Sequence, residues 1–211
     1  MTGLSLQHRM YVDLMDESRI RIHAIRDAIQ NRDLWDPRLL QEFAYLQLRM
    51  SCETIAVGCI VAHGEVKDIK TLKSWRPKEM VNRLSQLNPD FYPCGVRIRV
   101  EGGIVNLDDY PVPQLSKDEL IDLWDESGNY LHRGSADRLV REHGKRLNVD
   151  LTKITDQTQK ILNLLDQHRI SSADKMKHLI VALGGGGGAP VGQASVWLAE
   201  STPLKAAMTS D

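Results

Sequence analysis

Residues 45–64, YLQLRMSCETIAVGCIVAHG, decide how the rest of the chain is interpreted. Apolar and small residues dominate this stretch at helical spacing, which predicts a helix in the protein interior. Arg49 and Glu53 lie four residues apart within it, so both side chains share one face of the helix. Because a buried charge is costly unless it is paired and hydrogen-bonded, we expect a polar network inside a helical bundle.

Length and composition indicate a globular protein. The chain has 211 residues, of which 42% are hydrophobic, and this suits one ordinary domain with an appendage. The longest apolar run is far shorter than the roughly 20 residues of a membrane span, and the N-terminal MTGLSLQHRMYVDLMDES lacks the pattern of a signal peptide. We therefore predict a cytoplasmic protein that does not enter the membrane, with its three cysteines reduced.

Helical patterns extend on both sides of this stretch. The helix that contains it is predicted to begin at Pro37, with Asp36 as its N-cap. A long amphipathic helix is predicted before it, within the first 35 residues. Three further helices are predicted at residues 78–87, from the capping box Ser116–Glu119 to about Gly134, and at residues 150–168.

Alternating apolar and polar residues predict two β-hairpins, near residues 95–107 and 176–199. The second contains the run Gly184–Gly188. Because a strand pattern follows this run where a phosphate loop requires a helix, we interpret the run as a hairpin loop. The predicted fold class is mainly α, a bundle of about five helices with small antiparallel β-hairpins.

The same pattern predicts the organisation of the chain. Residues 1–148 are expected to form a helical bundle with an inserted hairpin, and residues 149–200 a helix with the C-terminal hairpin. Residues 201–211 are predicted to be a disordered tail. Whether the two hairpins belong to one sheet is left open by the sequence.

Charge is unevenly distributed, although the net charge is only −1. Basic residues concentrate at 67–83 and 133–146, whereas residues 108–126 are acidic. Most such runs are solvated surface. The alternative interpretation is a nucleic-acid-binding face, which would use Lys67, Lys70, Lys73 and Arg76.

Two potential metal ligands lie at the end of the long helix. Cys59 and His63 lie four residues apart, a spacing that can chelate one ion, but a site needs further ligands. Nothing in the spacing brings Cys94 or His132 to them. We therefore predict no metal and no other cofactor, a buried Cys59 thiol and a hydrogen-bonded His63.

Two segments together carry a family resemblance: LRMSCE at residues 48–53 and SGNYLHRG at residues 127–134. The pairing resembles the HEPN superfamily, helical bundles of prokaryotic defence and toxin–antitoxin systems, and in particular bacterial members with an Arg-x-x-x-Glu helix. The matching residues are Arg49, Glu53, Asn129 and His132, and the resemblance covers roughly residues 5 to 135.

The resemblance implies a metal-independent endoribonuclease in active members, with an Arg that stabilises the phosphate charge and a His four to six residues later that moves a proton. In this chain Arg138 and His143 have that spacing, but Leu139 replaces the usual polar residue. Catalytic candidates are therefore His132, Arg138 and His143.

The same residues have a structural interpretation, in which Glu53 accepts hydrogen bonds from Arg49, Asn129 or His132 and fixes the register of the helices. We therefore predict a HEPN-like interaction module without catalytic activity, which associates with itself or with a protein partner. The alternatives are a metal-independent endoribonuclease, or a binder of RNA or other nucleic acid that performs no chemistry.

Overall fold

The computed structural model describes residues 4–63, 74, 76–102, 104–131, 149–184 and 194–200. In these ranges the chain forms five α-helices and a short 3-10 turn at Arg32–Leu34. The helices are α1 (Leu6–Gln30), α2 (Pro37–Ala62), α3 (Pro77–Leu87), α4 (Lys117–Leu131) and α5 (Leu151–Leu165). The strands are β1 (Cys94–Glu101), β2 (Ile104–Asp109), β3 (Gln167–Ser171), β4 (Lys177–Leu183) and β5 (Ala194–Glu200).

The strands form one antiparallel sheet in the order β2-β1-β3-β4-β5. The mainly α class is confirmed in its coarse form, but the sheet is larger than the small hairpins predicted from the sequence. Strand β3 joins the two hairpins, because it pairs with β1 on one side and with β4 on the other.

Strand β3 was not predicted from the sequence, because the helical pattern before it was expected to extend to residue 168. Helix α5 ends at Leu165, and the strand begins at Gln167. His168 and Ile170 alternate with more exposed neighbours and are buried against the helices. Five residues are too few for this alternation to compete with the apolar stripe of the helix before them.

The helix starts follow the local signals. Asp36 caps α2 by accepting hydrogen bonds from the backbone N–H groups of Arg38 and Leu39. Ser116 and Glu119 form the predicted capping box before α4, because the Glu119 carboxylate accepts from the Ser116 N–H and the Ser116 hydroxyl from the Glu119 N–H.

One hydrophobic core connects the helices with the sheet. It includes Tyr11 and Met15 of α1, Leu48 of α2, Ile161 of α5 and Val181 of β4. The core therefore contains residues from both predicted parts of the chain, 1–148 and 149–200. The separation of the chain into these two parts stays a prediction. None of the described helices has an apolar stretch long enough to cross a bilayer.

Candidate functional site

Arg49 and Glu53 lie on the face of α2 that packs against α4. The Arg49 Nε and Glu53 Oε1 atoms are 3.4 Å apart, and the two side chains are 20% and 24% exposed. The pair is therefore half-buried. Water weakens the attraction between the two charges more than their apolar neighbours in the sequence suggested.

Trp124 of α4 completes this pair. Its indole Nε1–H donates to Glu53 Oε1 at 2.7 Å, and its ring centroid lies 3.9 Å from the guanidinium carbon of Arg49. Arg49 also donates to the backbone carbonyl of Trp124 at 3.2 Å. We call Arg49, Glu53 and Trp124 the α2–α4 clamp, because the three side chains hold these helices through a cation–π contact and charge-assisted hydrogen bonds.

A tyrosine pair extends the contact between the same two helices. The rings of Tyr45 and Tyr130 stack with centroids 3.8 Å apart and planes inclined by 5°. Burial raises the pKa of the Tyr45 hydroxyl, and a hydrogen bond with Tyr130 raises it further. The Tyr45 hydroxyl therefore stays protonated, and the stacked pair serves the packing of α2 on α4.

The predicted polar network also included Asn129 and His132. Asn129 is exposed on α4, and no hydrogen bond between described residues joins it to Glu53. The preceding residue, Gly128, is close to Arg49, because a Cβ at that position would be 3.1 Å from Arg49 Nη1. His132, Arg138 and His143 lie outside the described residues.

The predicted nucleic-acid face lies largely beyond the described ranges as well. Arg76 is described, and it is exposed and forms an ion pair with Glu79 at 3.5 Å. Lys67, Lys70 and Lys73 lie in the range 64–73, which the structure does not describe.

A cleft of about 770 Å³ lies where the C-terminal ends of α2 and α3 meet the turn between β3 and β4. The start of α1 and the end of β5 close its sides. Its apolar lining includes Leu84, Leu87, Ile170 and Leu198, and its polar lining includes His8, His63, Ser171, Lys177, His178 and Glu200. The three imidazoles come from three different elements.

Asn88 organises the polar side of this cleft and is only 3% exposed. Its Nδ2 donates to the Ser171 carbonyl at 2.9 Å and lies 3.0 Å from His63 Nε2, while its Oδ1 accepts from the Asp90 N–H at 2.9 Å. These bonds fix the orientation of the amide. Because Nδ2 can only donate, His63 Nε2 is the acceptor and the imidazole carries its proton on Nδ1.

Ser171 and His178 form the second polar pair. They are opposite residues in the β3–β4 register, and Ser171 Oγ lies 2.9 Å from His178 Nδ1. Burial lowers the pKa of His178, and the positive charge of Arg169 lowers it further. His178 is therefore a neutral imidazole near pH 7.

His8 contributes the third imidazole, from the first turns of α1. Its Nδ1 atom is shielded from solvent and has no hydrogen-bond partner in the described part of the chain. Burial lowers the pKa of His8. A polar atom that is shielded from solvent and has no partner lowers the stability of the folded state.

The β3–β4 turn at the rim is held in one conformation. Ser172 Oγ donates to Asp174 Oδ1 at 2.6 Å and accepts from the Lys177 N–H at 3.0 Å. Lys175 forms an ion pair with Asp90 at 2.7 Å, which attaches the turn to the loop after α3. Residues from the strands therefore keep a fixed position relative to the helices.

No sequence pattern predicted this cleft, because its polar residues are single and far apart in the chain. His63 was the one lining residue that the sequence analysis had singled out, as a possible metal ligand together with Cys59. That thiol is fully buried, and burial raises its pKa, whereas His63 turns to Asn88. The described residues contain no group of three or more metal-ligating side chains placed for an ion.

Comparison of the chain with protein-family models, with curated proteins and with solved structures gives no match.

Proposed function

We propose that the protein binds a small organic molecule in the cleft between α2, α3 and the β3–β4–β5 part of the sheet. The observation that supports this most directly is the combination of about 770 Å³ of space with a connected set of hydrogen bonds through Asn88, His63 and Ser171. Pockets for small ligands typically measure about 300–1,000 Å³ and combine an apolar lining with a few fixed polar groups.

The cleft meets the further requirement that its polar groups are held before a ligand arrives. Asn88 is positioned by three contacts, and the neighbouring turn by its own side chains and by the Lys175–Asp90 ion pair. Side chains with fixed conformations lose little entropy when they bind, so preorganisation increases affinity.

Blocking the cleft tests this proposal. Ala199 lines it from β5, whereas Ala194 lies at the other end of the same strand and is exposed. The probe is the neutral dye N-phenyl-1-naphthylamine, excited directly so that an added tryptophan does not contribute. We expect saturable fluorescence enhancement with the wild-type protein and with Ala194→Trp, and a loss of at least about tenfold in affinity with Ala199→Trp.

The control variant separates cleft binding from adsorption to exposed apolar side chains. Circular dichroism should show that both variants keep the wild-type helix content. Equal dye affinity in Ala199→Trp and Ala194→Trp, or no saturable binding by the wild-type protein, would contradict the proposal.

The HEPN-like interaction module, the endoribonuclease and the nucleic-acid binder stay predictions. Their candidate residues His132, Arg138 and His143 lie outside the described ranges, whereas Arg49 and Glu53 are engaged in the α2–α4 clamp. That engagement supports a structural role for the Arg-x-x-x-Glu pair. Incubation of the protein with mixed RNA in EDTA tests the nuclease alternative, and cleavage would contradict a module without catalytic activity.

A further inference from the structure

We propose that the ligand of the cleft is an uncharged, largely hydrocarbon molecule whose polar groups are neutral, such as a hydroxyl or a carbonyl. This inference rests on the proposed ligand-binding function and adds the chemical class of the ligand to it. Three properties of the described lining support it: its imidazoles are neutral, its polar side chains bond within the protein, and much of its remaining surface is apolar.

The three imidazoles of the described lining carry no charge near pH 7. Asn88 Nδ2 donates to His63 Nε2, so this nitrogen has no proton of its own. Burial lowers the pKa of His8 and of His178, and the positive charge of Arg169 lowers the pKa of His178 further. None of the three imidazoles therefore supplies a positive charge for an anionic ligand.

The two charged residues of the described lining offset each other. Lys177 and Glu200 are both exposed, and they lie opposite each other in the β4–β5 register. An ionic group at this edge of the cleft therefore meets one neighbour of its own sign and one of the opposite sign. Water weakens both interactions, so neither an anion nor a cation gains much binding free energy here.

The uncharged polar side chains form their hydrogen bonds within the protein. Asn88 uses both Nδ2 hydrogens and its Oδ1 for protein groups. Ser171 Oγ lies 2.9 Å from His178 Nδ1. Ser172 Oγ donates to Asp174 Oδ1 at 2.6 Å. An ion that enters the cleft therefore loses its hydration without a charged partner, whereas a neutral hydroxyl or carbonyl loses much less.

The apolar part of the lining supplies the attraction. Leu84 and Ile170 are buried, whereas Leu87 and Leu198 are 50% and 48% exposed. A hydrocarbon surface that covers these side chains removes apolar area from water on both partners, which is favourable. The cleft therefore discriminates against either sign of charge through desolvation and not through an ion pair.

The experiment displaces bound N-phenyl-1-naphthylamine at about pH 7.5 with 1-naphthalenemethanol, 1-naphthoate or 1-naphthylmethylammonium. The three compounds share one ring system, and their short substituents keep the ionic group beside the ring, so ring and charge enter the cleft together. We expect the alcohol to bind at least about tenfold more tightly than either ion, and the two ions to differ by less than about threefold. An ion that binds as tightly as the alcohol would overturn the proposal.

The variant Ala199→Lys tests whether the lack of a counter-charge is the cause. It adds a positive charge to the lining, so 1-naphthoate should bind at least about fivefold more tightly than to the wild type, and 1-naphthylmethylammonium more weakly. Ala194→Lys, at the exposed other end of β5, should leave both affinities unchanged. A folded Ala199→Lys protein with the wild-type ratio of the two ion affinities would overturn the proposal. Absence of saturable dye binding by the wild-type protein would instead overturn the ligand-binding function itself.

Discussion

A buried histidine illustrates how a single residue couples stability to pH. His168 is fully buried at the start of β3, and its Nδ1 donates to the Leu165 carbonyl at 2.9 Å. Its Nε2 is then the acceptor nitrogen, and no described group donates to it. Burial lowers the pKa of His168 to about 4, whereas an unfolded histidine has a pKa of about 6.5.

This difference predicts a loss of stability in acid. Between pH 6.5 and pH 4 the unfolded state binds the proton more readily, so the free energy of unfolding falls as the pH falls through this window. The difference between pH 7 and pH 5 amounts to about 2 kcal/mol. In His168→Phe, which keeps a ring against Tyr11, urea denaturation at the two pH values should show most of this loss removed.

His23→Phe is the matched control, because His23 is only half-buried on α1 and its pKa is lowered mainly by burial. This variant should keep most of the acid destabilisation. A wild-type pH dependence in His168→Phe would show that other groups cause it.

Between elements, the α2–α4 clamp predicts a specific cost for losing one hydrogen bond. Trp124→Phe keeps an aromatic ring under Arg49 but removes the donor to Glu53. A hydrogen bond to a charged group contributes about 1.5–3 kcal/mol, and partial exposure of the pair reduces this, so we expect a loss of about 1–2 kcal/mol in urea denaturation. Trp35→Phe is the control, because it makes the same substitution outside the α2–α4 clamp. Trp35 packs on Phe43 with ring centroids 5.2 Å apart. Equal losses in the two variants would contradict a role for the indole N–H.

The clamp also shows how far local sequence signals reach. The i, i+4 spacing placed Arg49 and Glu53 on one helix face, and Asp36, Ser116 and Glu119 marked helix starts, because these signals act within a few residues. Trp124 is 71 residues from Glu53 in sequence, and its apolar neighbours indicated only a packing role, so the hydrogen bond from its indole N–H was not predicted. Strand β3 was missed for a related reason, since its identity depends on pairing with β1 and β4 and not on its own five residues.

For the whole molecule, Asn88 is the residue through which the helices and the sheet meet at the cleft. It bonds to His63 after α2, to the Asp90 N–H after α3 and to the Ser171 carbonyl of β3. No local pattern identifies such a residue, because its importance comes from contacts with a position 83 residues away. The cleft could not be predicted from the sequence for the same reason.

Asn88→Ala should therefore destabilise the whole protein and loosen the cleft. The substitution removes the Asn88 donor from the Ser171 carbonyl, and a buried unsatisfied group costs about 1–3 kcal/mol. The N–H of the exposed Asp90 also loses its acceptor. We expect a total loss of about 2–3 kcal/mol in urea denaturation, together with faster amide hydrogen exchange at residues 171–178 under native conditions. Asn129→Ala, an exposed position on α4, should change neither quantity. A destabilised Asn88→Ala protein with wild-type exchange at residues 171–178 would mean that Asn88 stabilises the helices alone and does not hold the sheet to them.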